Sequence, residues 1–239
     1  MAESNVVPHP TIALLRSNSL ATAAQQEIER MILAGEIGPG AKLTEAWLSE
    51  RLGVSRGPIR EAFRMLEEAG LVRQEKNRGV FVRDIPHEEA ADIYDLRAAM
   101  DELVGRRLAE TITPAQLKTL RSIAERMEQA VKADDRDQYH LLNLQFHDRM
   151  VEFAGNRKMQ AIYGKLVKEL ALYRRRNLVD GSVLPHSVAE HRVILKAIAS
   201  GDPEQAGKAM YDHVIESKER ALRAASTPRP VRARAARKG

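Results

Sequence analysis

The sequence predicts a mainly α-helical protein in two parts, an N-terminal winged helix-turn-helix and a C-terminal antiparallel bundle made only of helices. Three observations predict it. Apolar residues recur at helical spacing through most of the 239 residues. A single short hairpin, Leu71–Gln74 and Val80–Arg83 around Lys76-Asn77-Arg78-Gly79, interrupts that pattern. From Pro86 to Ala225 no stretch alternates as a strand would.

Taken in order, residues 1–18 read as a flexible lead and residues 19–85 as the winged helix-turn-helix domain. Ala23 to Ala34 is amphipathic, with Ile28, Met31 and Ile32 on its apolar side, and stops at Gly35. After the Gly38-Pro39-Gly40 turn, Thr44 caps a helix whose apolar face is Trp47, Leu48 and Leu52. Gly53 breaks it. Ser55 caps the next helix, which runs to Ala69 and buries Ile59, Ala62, Phe63 and Leu66. Pro58 sits in its first turn, where a missing N–H is harmless. The junction falls at Asp84-Ile85-Pro86, because a residue before proline is pushed out of helical geometry. Residues 86–225 then read as six helices, near 87–111, 114–133, 135–154, 157–179, 186–200 and 203–224. Thr113-Pro114 and Asp202-Pro203 mark starts, and Gly155 and Gly201 mark stops. Residues 226–239 read as a basic disordered tail.

Composition narrows the function classes. With 44% hydrophobic and 30% charged residues the chain can build a core. No apolar run reaches the length of a membrane span, and the N-terminus lacks the apolar core of a secretory signal, so the cytosol is the expected location and no membrane partner is expected. There is no cysteine, so a metal here must be held by histidine, carboxylate or amide groups. The net charge of +5 resides wholly in the tail, since acids and bases balance before Arg229. Bulk charge therefore makes no case for nucleic acid.

Local charge does. Arg56, Arg60 and Arg64 recur every four residues and share one face of the second helix of the pair, away from Ile59, Phe63 and Leu66. Such a face can enter the major groove, where arginine donates bidentately to guanine or pairs with phosphate. From Arg51 to Arg83 there are eight cations against four acids. The competing reading is a solvated helix laced with ion pairs, Arg60 or Arg64 with Glu67 or Glu68.

The run Leu48-Ser49-Glu50-Arg51-Leu52-Gly53-Val54-Ser55-Arg56-Gly57-Pro58-Ile59-Arg60-Glu61-Ala62, then Leu66-Glu67-Glu68-Ala69-Gly70-Leu71-Val72 and the wing Arg78-Gly79-Val80-Phe81-Val82, closely resembles the GntR family of bacterial regulators. The resemblance covers residues 19–84. It implies that double-stranded DNA, as an operator, is contacted by Ser55, Arg56 and Arg60 from the recognition helix, with Thr44 and Gly57 beside them, and by Arg78 and Gly79 from the wing tip. Gly57 stands where the family usually has Thr, and Ala46 where some members place a DNA-contacting Arg. The resemblance also implies a homodimer reading an inverted repeat. Ile93, Leu96, Met100, Leu103, Val104 and Leu108 form an apolar stripe that serves either as core or as subunit interface.

Three histidines point inward from different helices. His147 lies among Leu144, Met150, Val151 and Ala154, His191 among Val188, Ile194, Leu195 and Ile198, and His213 among Ala209, Met210, Val214 and Ser217. Asn143 is one turn before His147 on the same side. Converging imidazoles are expensive to desolvate unless a cation or ligand sits between them. Core histidines with separate partners are the alternative.

Asn143 to His147 followed by Ala154-Gly155-Asn156, then Glu190-His191-Arg192 and Asp212-His213, resembles the FCD ligand-binding domain of the FadR-type subfamily, over residues 90–220. The resemblance implies a divalent metal (zinc first, nickel or manganese as alternatives) held by Asn143, His147, His191 and His213, with a small carboxylate effector completing the coordination. Asn143 occupies a position usually held by Asp. Arg97 matches an arginine of that domain's first helix and either clamps the effector carboxylate or pairs with Asp101. A transcription regulator, in the sense of repression, is therefore expected. A metal-dependent enzyme is the rival from another class, but Glu190 projects about 100° away from His191 around its helix, and no nucleophile–base pair is evident. A metal-free regulator binding an acyl chain is the second rival.

Overall fold

The computed structural model describes residues 10–177 and 184–226, with side chains from 19 to 174 and from 184 to 225. The N-terminal nine residues and the basic tail lie outside the described residues. The chain divides into two compact units. The first comprises residues up to Pro86 together with Lys158–Arg176, and the second holds His87–Arg157 and the chain from Asn177 onward.

In the first unit, α1 (Pro10–Leu33) is followed by β1 (Lys42–Leu43), α2 (Glu45–Leu52), α3 (Arg56–Glu68), β2 (Val72–Glu75) and β3 (Gly79–Val82). The first helix begins well before the expected start, because nothing between Pro10 and Gly35 interrupts it and proline is tolerated in a first turn. Ile28, Met31 and Ile32 are fully buried with Leu48, Ile59 and Leu66, so α1, α2 and α3 share one core. Burial of this kind is worth about 1.5–3 kcal/mol per large aliphatic side chain. Trp47 was expected in that core but is 42% exposed, since Leu48 alone of the eight-residue α2 turns fully inward. Thr44 caps α2 as read, its Oγ1 accepting from Trp47 N at 3.3 Å. Ser55 stands at the N-cap of α3 without making the side-chain cap bond.

The hairpin gains a third strand that the sequence does not signal. β1 pairs antiparallel with β3, giving the order β1-β3-β2, with Lys42 opposite Phe81 and Arg73 opposite Phe81 from the other side. Two residues are too few to show a period. α7 (Arg157–Asn177), which the sequence places in the helical domain of residues 86–225, groups over Lys158–Arg176 with this unit instead. Its Glu169 is buried and accepts from Arg83 Nη1 at 2.7 Å, and its Lys168 pairs with Glu29 of α1 at 2.7 Å.

The second unit contains α4 (His87–Thr111), α5 (Pro114–Lys132), α6 (Arg136–Phe153), α8 (Leu184–Ala199) and α9 (Pro203–Ser226). α4 and α9 are antiparallel: Asp95 meets Lys218 at one end, and Arg106 meets Glu204 at the other. They approach closely because Gly105 leaves room. A Cβ there would lie 2.5 Å from the Ala206 carbonyl oxygen. Thr113 and Gln116 form a full capping box at the start of α5. Tyr94, Val104, Leu108, Leu120, Phe146 and Met150 are fully buried and constitute the core around which the histidines are placed.

Candidate functional site

On the first unit, α3 presents its arginines to solvent. Arg56 and Gly57 are exposed, and Arg56 has no hydrogen-bond or ion-pair partner among the described residues. Arg60 Nε donates to Glu45 Oε2 at 3.1 Å, and Arg64 Nη1 to Glu61 Oε1 at 3.1 Å. Those partners differ from Glu67 and Glu68 because the side chains lean toward α2 and back one turn. Both pairs are exposed, so each is worth at most about 1 kcal/mol and is readily exchanged for phosphate. Ser55 and Thr44 are exposed beside them, and Thr44 can still donate its hydroxyl proton while accepting as a cap. Nothing lies within 4 Å of the position a Gly57 Cβ would take.

At the wing, Asn77 (φ 62°) and Gly79 (φ 108°) turn the chain through the left-handed region, where glycine carries no steric penalty. Arg78 is exposed, pairs with Glu75, and its guanidinium carbon lies 5.7 Å from the Phe81 ring centroid. Lys42 Nζ lies 5.8 Å from that same ring. Lys42 went unread in the sequence because only its pairing to β3 brings it to the wing. Arg51, 5.7 Å from the exposed Trp47 ring, is a further cation of this unit.

In the second unit, three helices converge their imidazoles. His147 of α6, His191 of α8 and His213 of α9 are each at most 6% exposed. His147 Nε2 lies 3.4 Å from His191 Nε2 and 3.3 Å from His213 Nε2, and a ligand atom from each lies within 4.8 Å of the other two. Phe146 packs edge-on against two of the rings, with centroids 5.7 Å from His147 and 4.9 Å from His191. Burial holds the His191 imidazole well below its ordinary pKa, with the charges of His213 and Arg97 acting in the same direction and Glu190 opposing. Burial therefore favours a neutral His191 ring with a lone pair available. A tetrahedron of nitrogen ligands about 2.0–2.1 Å from a zinc ion has edges of about 3.3–3.4 Å. The two short separations fit that edge, so the donor set suits a divalent cation.

Asn143 is half-buried one turn before His147, and its amide makes no hydrogen bond among the described residues. Arg97 is buried, and its Nε donates to the fully buried Asp101 Oδ2 at 3.1 Å. Of the two readings of Arg97, the pairing is thus present. Glu190, which diverges from His191 around α8, turns toward α9. Its Oε2 lies 2.7 Å from His213 Nδ1, and Arg220 grips both of its oxygens at 2.5 and 2.8 Å. The helix α8 alone carries no signal of this, since both partners lie on another helix. Glu216 crowds the same carboxylate, and its hydrogen bond with Glu190, followed by burial, pushes its pKa up.

No helix among the described residues is long and apolar enough to cross a membrane. Comparison with known proteins matches residues 20–82 to the bacterial regulatory proteins of the gntR family and residues 92–216 to the FCD domain. The chain is 28% identical over 200 residues to a probable D-xylose utilization operon transcriptional repressor of Paenarthrobacter nicotinovorans, covering 84% of this chain and 88% of that protein. It is 26% identical over 218 residues to the gluconate operon transcriptional repressor of Bacillus licheniformis, covering 89% of each. The fold is shared with the E. coli protein McbR/YncC at a TM-score of 0.76 and 18% identity, over 85% of this chain and 97% of the other.

Proposed function

We propose that this chain, which belongs to the gntR family of bacterial regulatory proteins and carries an FCD domain, is a metabolite-responsive repressor that reads an inverted-repeat operator as a homodimer. Membership makes it a DNA-binding transcription regulator and not an enzyme. Repression follows the relatives, which bear that name. Ser55, Arg56 and Arg60 read the major groove from α3, with Thr44 and Gly57 close to the phosphates, while Arg78 and Gly79 follow the backbone from the wing. Because the exposed ion pairs of Arg60 and Arg64 are weak, the guanidinium groups can be given up to DNA at little cost.

One winged helix grips DNA weakly, and a second copy raises the grip through effective concentration. Support for a dimer comes from α4, where Leu96 and Leu103 are 55% and 45% exposed on a face that also carries Met100. That half of the apolar stripe is left for a partner, while Ile93, Val104 and Leu108 fill the core.

The observation that carries the sensing role is the convergence of three buried imidazoles whose ligand atoms lie within 4.8 Å of one another, with His147 Nε2 at the edge length of a metal tetrahedron from both His191 Nε2 and His213 Nε2. His147, His191 and His213 would hold a divalent cation, zinc in first place, with the Asn143 amide oxygen as a neutral fourth group. A bound cation supplies a Lewis-acidic point that an effector carboxylate can ligate. Arg97, beside the cluster, adds positive charge that favours a small organic acid, although Asp101 takes its Nε. Metal analysis of untagged protein, with operator retention measured at zero and saturating concentrations of a panel of organic acids, tests this. About one divalent ion per chain and release by one acid are expected. Protein free of metal, or operator affinity that no acid moves, refutes the sensing role.

A further inference from the structure

The proposed metal site accounts for three inward nitrogens, but not for what fixes the outer edge of His213. We propose that Glu190, clamped by Arg220, is the positioning residue that orients His213 and fixes its tautomer, so that Nε2 faces His147 as a lone pair. This inference rests on the reading of the histidines as a metal site.

The argument is one of donors and acceptors. An ionised carboxylate only accepts, so at 2.7 Å from Glu190 Oε2 the His213 Nδ1 must carry the proton. In a neutral imidazole the other nitrogen, Nε2, is then unprotonated and available as a ligand. Glu190 cannot swing away, because Arg220 holds Oε1 at 2.5 Å and Oε2 at 2.8 Å in a two-pronged grip. Arg220 and Glu190 are both largely buried, and Arg220 also reaches Glu216 at 3.3 Å. The chain is thus Glu216–Arg220–Glu190–His213, with its last member entering the triad. A carboxylate behind a ligating histidine raises the ligand's basicity and fixes its ring, and removing such a partner commonly costs 10–100-fold in metal affinity. A purely structural tie between α8 and α9 would need only the Arg220–Glu190 pair and would leave His213 free to adopt either tautomer.

The test compares the full-length protein with Glu190→Ala and Glu190→Gln. Long-range nitrogen–proton NMR on metal-free wild type reads the His213 tautomer, zinc competition against a chromophoric chelator reads affinity, and operator binding in chelator checks integrity. Expected are a protonated Nδ1 on His213 in wild type, about 10–100-fold weaker zinc binding in Glu190→Ala, and an intermediate loss in Glu190→Gln, whose amide oxygen still accepts. Operator binding in chelator stays at the wild-type level. A proton on Nε2 in metal-free wild type, or zinc affinity within twofold of wild type in Glu190→Ala, overturns the proposal. Should Glu190→Ala fail to fold, the wild-type tautomer and the Glu190→Gln affinity decide. Wild type that takes up no zinc sinks the metal reading alone, and the tautomer still decides the role of Glu190.

Discussion

His147 is the hub of the triad, because both short nitrogen–nitrogen separations, 3.4 and 3.3 Å, end on its Nε2. Replacing it with alanine leaves two imidazoles on α8 and α9 and removes the vertex that makes the arrangement three-sided. The magnitude follows from linkage. A cation that binds only the folded protein adds about 2.7 kcal/mol at a hundredfold excess over its dissociation constant. For a chain of this length each kcal/mol moves the melting midpoint by about 2–4 °C, so zinc is expected to raise wild-type Tm by about 5–11 °C. His147→Ala is expected to melt lower even without metal, since the His147 ring stacks on His213 with centroids 5.2 Å apart and planes 17° from parallel. The metal-induced shift is therefore the readout, not the starting midpoint. Differential scanning calorimetry with and without zinc, after chelation, measures it. A shift in His147→Ala as large as that of wild type would refute the hub argument, and no shift in either would refute the site.

Four further outcomes are expected. Reversing charge at Arg56 and Arg60 together, both exposed, should leave the melting midpoint near wild type while weakening operator binding at least 30-fold, from about 1–3 kcal/mol per base contact; unchanged promoter occupancy in a footprint would end the assignment of α3 as the reading helix. Gly57→Thr enters open space and adds a hydroxyl beside the phosphates, so affinity should rise about 2–10-fold with the salt dependence unaltered; weaker binding would show that the backbone itself approaches DNA there. Leu96→Glu with Leu103→Glu should give a monomer in sedimentation equilibrium, and a persistent dimer would place the interface elsewhere. Because burial depresses the His191 pKa, the unfolded chain binds this proton first as pH falls. Its contribution is complete above about pH 6.5 and is lost below it, at no more than about 1.4 kcal/mol per pH unit. Urea titrations of metal-free protein at pH 7.5 and 5 should show that loss, and equal stabilities would contradict a buried neutral ring.

What was legible in the sequence separates cleanly from what was not. Positions governed by their own helix were readable: Ile28, Leu48, Ile59 and Leu66 are all buried where the period placed them, and Thr44 and Thr113 cap the helices that follow them. The three inward histidines were readable for the same reason, each from the apolar company on its own turn. Relations between helices were not. Nothing in the spacing of α8 says that Glu190 meets His213 and Arg220, and nothing in the pair Lys42-Leu43 announces a strand, because β3 supplies its partner. Trp47 shows the limit from the other side. Its hydrophobicity argued for the core, yet a helix of eight residues has room for little more than one inward row, and Leu48 occupies it. The same logic divides the α4 stripe. Periodicity marks Ile93, Leu96, Met100, Leu103, Val104 and Leu108 alike as apolar, but α9 covers one flank only, because Gly105 lets it settle there. The uncovered Leu96 and Leu103 are what a helical period cannot distinguish from core. Their exposure in a single chain is the physical reason to look for a second one.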